Sequence, residues 1–202
     1  VPKVNRRQFL AGATALGAAG VLSRPALAQS DARILHFVPE SNLATPDPVW
    51  NVTPVTRNHG MMVWDMLYGL DTNFEPQPQM AAGHELSGDR LTWRFTLRDG
   101  LNFHDGAPVT GEDAVASLKR WGTRSALGGR LLKVAASLEA TGPKSFRLVL
   151  REPYGLVLDT LGTTSSPTPF IMPARIAANT PGSTQVTEIV GSGPFVYSKA
   201  DH

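Results

Sequence analysis

The chain has 202 residues, 42% hydrophobic and 18% charged, with 19 Lys and Arg, 17 Asp and Glu, and no cysteine. This length and balance suit a globular protein of one large or two small domains, and the missing thiols exclude disulfides, thiolate metal sites and cysteine nucleophiles. The formal net charge of +2 comes from the first 28 residues, which hold Lys3, Arg6, Arg7 and Arg24; taking these four from the 19 leaves 15 basic side chains against 17 acidic ones, a balance that argues against a nucleic-acid-binding face.

The N-terminus opens with Asn5-Arg6-Arg7-Gln8-Phe9-Leu10, an uncharged stretch from Ala11 to Ser23, and then Arg24-Pro25-Ala26-Leu27-Ala28. Ala26 and Ala28 fit a small-x-small cleavage rule, which puts a mature start near Gln29. The apolar stretch is shorter than the roughly 20 residues that cross a bilayer. The pattern resembles a twin-arginine export signal and implies a periplasmic protein that is folded before export. The segment is expected as a loose or helical appendage outside the core.

Ile34, Leu35, Phe37 and Val38 predict a short apolar strand, followed by the loop Pro39 to Pro48. Met61, Met62, Trp64, Met66, Leu67 and Tyr68 read as a buried helix ending at Gly69. Leu91, Trp93, Phe95 and Leu97 alternate with polar residues, the two-residue period of a strand with one buried face. Asp99-Gly100 and Asp105-Gly106 supply positive-φ turns, and Leu101 to Phe103 is expected to return as a second strand. Thr110 and Asp113 have the spacing of a reciprocal helix cap. Ala114, Val115, Leu118 and Trp121 then share one helical face, and Gly122 stops the helix. Gly128-Gly129 reads as a break. Strands follow over Val134–Thr141 and Ser145–Arg151 around Gly142-Pro143, and a short helix begins at Tyr154 and closes at Gly162. Thr163 to Pro167 is hydroxyl-rich and turn-like. Gly191-Ser192-Gly193-Pro194 permits a close backbone crossing, with Phe195, Val196 and Tyr197 starting a strand.

Catalytic signals are weak. His36, His59, His84, His104 and His202 are scattered without helical metal spacing, and His104-Asp105 reads better as a structural or solvated turn than as an acid/base pair. There is no G-x-S-x-G elbow and no phosphate-cradling G-x-G-x-x-G. The residues alone leave open a small exported enzyme or cofactor protein.

Trp93 to Thr110 follows W-x-F-x-L-R-x-G-x-x-F-x-D-G-x-P-V-T, with Asp113 and a helix after it. Leu67-Tyr68-Gly69-Leu70, Asp47-Pro48 and Gly191-Ser192-Gly193-Pro194-Phe195 add to the pattern. Together these resemble the extracellular solute-binding proteins of family 5, the peptide- and nickel-type binding subunits of ABC importers. Gly111 departs from the usual Ala. The resemblance implies an α/β (α+β) fold of the type II periplasmic-binding-protein kind, comprising the first lobe plus an inserted small domain. On that pattern the chain looks truncated, a fragment of a longer protein. It implies a signal peptide over 1–28, the first part of lobe I over 29–70, the insertion over 71–160 and a return to lobe I over 161–202. It further implies a non-enzymatic, monomeric protein that captures a solute, most simply a peptide, for an inner-membrane ABC permease, with no cofactor, metal or nucleic acid. Candidate ligand contacts are Asn42 in the first loop, Thr56, Arg57 and Asn58 in the loop just before the first helix, and Ser165 and Ser166.

Overall fold

A computed structural model describes residues 35–199. The chain divides into two units, Val1–Pro39 and Glu40–His202. Of the first, Leu35 to Pro39 is described and is irregular, so the strand expected from Ile34 does not form there. A short extended segment without a ladder leaves its backbone groups to water and has nothing to hold it as a strand. Ile34 itself and the leader, with its expected appendage, lie outside the described residues.

In the second unit the first helix, α1, spans Pro54–Val63, with proline in its first turn, where a missing N–H costs nothing. The helix expected to run on to Gly69 stops instead at Trp64, whose backbone is extended. Met66 bridges to Phe170, and Tyr68–Leu70 forms strand β1, antiparallel to β2 (Pro76–Pro78). Trp64, Met66, Leu67 and Tyr68 are all buried. An apolar run buried on every side carries no period, so it reads as helix or strand equally.

The main sheet contains β3 (Ala81–Leu86), β4 (Thr92–Leu97), β5 (Ala135–Gly142) and β6 (Ser145–Leu150), in the antiparallel order β3-β4-β6-β5. The alternation along β4 holds: Trp93, Phe95 and Leu97 are 8%, 0% and 3% exposed. Phe95 lies opposite Phe146 on β6, with the rings stacked at 4.8 Å. Both Asp-Gly turns have the positive φ expected, +75° at Gly100 and +86° at Gly106. Leu101 to Phe103, however, does not return along β4, whose neighbours are β3 and β6. It closes on itself, Val109 N–H donating to the Leu101 carbonyl and Phe103 N–H to that of Ala107.

Helix α2 (Gly111–Gly122) begins at the expected reciprocal cap between Thr110 and Asp113. Ala114, Val115, Leu118 and Trp121 are buried in the same apolar core as Phe95 and Phe146. The Gly128-Gly129 pair does not break the chain: it lies inside helix α3 (Ala126–Val134), which is capped by the Ser125 hydroxyl. A Cβ at Gly128 would sit 2.7 Å from the Trp121 ring, so glycine serves helix packing there rather than a turn. Helix α4 spans Val157–Leu161, shorter than expected, and α5 is one turn, Ala174–Ala177.

Phe195 to Tyr197 forms no strand. Among the described residues it has no sheet neighbour; instead Gly193 N–H and Phe195 N–H donate to the carbonyls of Val63 and Met62 at 2.9 and 3.0 Å, satisfying the last turn of α1. The glycines are needed for this crossing, since a Cβ at Gly191 would lie 1.8 Å from the Val63 carbonyl oxygen.

Candidate functional site

The loop before α1 is held by one buried carboxylate. Asp47, fully buried, accepts hydrogen bonds from the backbone N–H groups of Val49, Trp50 and Val186. It also forms a two-pronged ion pair with Arg120 of α2, at 2.7 and 3.2 Å. Arg120 donates further to the carbonyls of Thr180 and Thr184. Both charges therefore have the additional partners that buried ions require.

Around this anchor the candidate contacts take different places. Thr56 is completely buried, and its hydroxyl donates to the Thr45 carbonyl at 2.9 Å, tying α1 to the loop. Arg57 and Asn58 are half-buried on the same helix, with the guanidinium 3.4 Å from the Asn58 side-chain oxygen. Asn42 is exposed, and its carbonyl accepts from Ala44 N–H. Ser165 is exposed and Ser166 half-buried in a turn braced by the Thr168 hydroxyl, which donates to the Ser165 carbonyl. Among the described residues no hydrogen bond joins this turn to Asn42 or to α1. The two regions are instead anchored to neighbouring residues of α2: Arg120 holds Asp47, and the Trp121 indole N–H donates to the Pro167 carbonyl at 2.6 Å.

This exposes what the single apolar face missed. Asp113, Ser117 and Arg120 form a second buried face of α2, whose side chains bond the backbone of the 167–186 segment. Asp113 accepts from Ala174 N–H, and Ser117 both donates to the Met172 carbonyl and accepts from its N–H. The signal was a polar row at steps of four and three, which on a surface helix looks like its wet side.

Two of the histidines serve the scaffold. His104 Nε2 donates to the Gly193 carbonyl at 2.9 Å, pinning the second Asp-Gly turn to the glycine crossing, as the structural reading anticipated. His84 Nδ1 lies 2.9 Å from the Tyr68 hydroxyl, and burial pushes the Tyr68 phenol up to about 12. Among the described residues no group of three or more His, Asp or Glu side chains could hold a metal ion. A groove of about 920 Å³ runs between α2, β5, α5 and residues 180–183, and none of the six candidate contacts lines it.

The sequence model of the bacterial extracellular solute-binding proteins, family 5 (middle region), matches residues 75–202. The chain belongs to that family. A twin-arginine signal model matches residues 3–23, so this family 5 chain carries an export signal to the periplasm. It is similar to a probable peptide ABC transporter periplasmic-binding protein of Sinorhizobium fredii, 34% identical over 199 residues, covering 96% of this chain and 36% of that one. The glutathione-binding protein GsiB of Salmonella typhi is 29% identical over 184 residues, covering 90% and 35%. Among solved structures, NikA of Brucella suis in complex with Fe(III)-EDTA superposes with a TM-score of 0.66 at 25% identity, over 82% of this chain and 33% of NikA. The fold is thus that of the periplasmic binding proteins. The chain spans about a third of the length of these relatives, the first two of which are named as binding proteins.

Proposed function

We propose that this family 5 chain forms the solute-capturing front portion of an ABC importer's periplasmic binding protein, taking a short peptide and passing it to an inner-membrane permease without chemical change. The observation that carries the reading is the family match over residues 75–202, supported by the peptide transporter protein as a relative. Lobe I is assigned to 29–70 and 161–202, and the insertion to 71–160, with the chain acting as a monomer.

On this reading Arg57, Asn58 and Asn42 meet the solute from one side and Ser165 and Ser166 from the other. Thr56 acts from beneath by holding the Thr45 loop in register with α1. Two regions fixed to successive residues of one rigid helix keep their spacing, which spares the ordering cost when a ligand binds. The twin-arginine signal fits a protein that works in the periplasm.

The test is calorimetric titration of the purified chain with a library of di- to pentapeptides, set beside an Arg57→Ala, Asn58→Ala double variant. Weak saturable binding that is lost in the double variant, with the peptides recovered intact, is the expected result. Cleaved peptides, or binding indifferent to both substitutions, would overturn the reading.

A further inference from the structure

The groove of about 920 Å³ beside α2 lies apart from the residues assigned to solute capture. One wall is β5, the last strand in the sheet order, so no described strand pairs with its outer edge. The register of β5 shifts at Ala135/Ser137 and again at Ala140/Gly142. Only the short run between these irregularities is regular, and its Leu138, Glu139 and Ala140 face the groove. An unpaired edge of that length offers backbone donors and acceptors to a short extended segment and to nothing longer.

The charges lining the groove are mostly committed. Arg120 is paired with Asp47, Glu139 with Arg147, and Arg124 donates to the Trp50 carbonyl. Among the described residues, Glu112 and Lys119 line the groove exposed and without ion pairs. They stand seven residues apart on one face of α2, about 10.5 Å along the axis at 1.5 Å per residue. An extended chain advances about 3.3 Å per residue, so the charged ends of a tripeptide are about 10 Å apart.

We propose that this groove is a second binding site that takes a free, extended tripeptide. Its ammonium end lies at Glu112, its carboxylate at Lys119, and its backbone runs along the outer edge of β5. Two opposite charges carried on backbone positions about this far apart favour an occupant of about this length with free termini. The site goes beyond the solute-capture reading and does not depend on it.

The probe is tri-alanine, titrated calorimetrically into the full chain. Saturable binding is expected, at least tenfold weaker for di-alanine and for tri-alanine blocked by acetyl and amide groups. Glu112→Gln and Lys119→Gln each weaken it at least fivefold. Ala178→Trp, at an exposed position on the groove wall, abolishes it while the far-ultraviolet circular dichroism is unchanged; should that variant misfold, the two charge variants decide. No binding to the unaltered chain, or equal binding of the blocked peptide, overturns the proposal. Binding lost in the Arg57→Ala, Asn58→Ala variant but kept in the groove variants also overturns it, and leaves the transport reading standing.

Discussion

Replacing Asp47 with alanine should be among the most damaging single changes in the molecule. The substitution strands the Arg120 guanidinium, whose side chain is 1% exposed, and removes the acceptor of three backbone N–H groups, those of Val49, Trp50 and Val186. Two carbonyls, of Thr180 and Thr184, remain to Arg120, too few for a buried cation. Removing one partner of a buried pair costs about 3–5 kcal/mol. At about 2–4 °C per kcal/mol for a domain of this size, the melting temperature should fall by about 6–20 °C. Thermal unfolding followed by tryptophan fluorescence would measure the midpoint, and urea unfolding the free energy. The Asp47→Leu, Arg120→Met double variant, which leaves no unpaired charge but still strands the backbone groups the pair served, should recover part of the loss. A single-variant cost below about 1 kcal/mol, or a double variant no more stable than Asp47→Ala, would refute the argument that the unpaired charge dominates.

Gly191→Ala places a methyl group where only 1.8 Å separates it from the Val63 carbonyl oxygen, so the crossing segment must move away from α1 and lose its two backbone bonds there. Overpacking against backbone costs about 1–3 kcal/mol, readable as a lowered thermal midpoint, whereas Gly88→Ala, in open space, should leave it unchanged. Tyr68 gives a pH signature. Its phenol is raised to about 12 in the folded chain against about 10 unfolded, so its contribution is complete below pH 10 and is lost as pH rises from 10 to 12. That window should remove about 2–3 kcal/mol, and denaturation at stepped pH should show a gentler decline in Tyr68→Phe.

Where one local rule acts alone, the sequence was sufficient. The alternation of Trp93, Phe95 and Leu97 marks β4 because nothing else in that stretch competes with a period of two. Thr110 and Asp113 mark the start of α2 because a reciprocal cap needs only residues three apart. Failure came where distant partners decide. Gly128-Gly129 looks like a break until the Trp121 ring packs over it. Phe195 to Tyr197 looks like a strand until the end of α1 takes its backbone groups. Asp47 and Arg120, 73 residues apart, have no local pattern that pairs them. Thr56, Arg57 and Asn58 were expected in the loop before the first helix but lie within α1, which Pro54 starts earlier than the apolar run suggests, and the burial of Thr56 against the Thr45 carbonyl depends on an 11-residue closure that composition does not reveal.

The second face of α2 has a consequence for how this part of the protein tolerates change. Apart from the Met172 sulfur, which Arg120 meets at 3.9 Å, the groups that Asp113, Ser117, Arg120 and Trp121 grip in residues 167–184 are main-chain N–H or carbonyl groups: those of Pro167, Met172, Ala174, Thr180 and Thr184. The helix must keep its lettering, whereas the ribbon it clasps, outside its buried Phe170, Ile171 and Met172, need only keep its path. Mutational drift should therefore run one-sidedly, slow along the clasp and quick along the clasped stretch, wherever a new side chain there finds room.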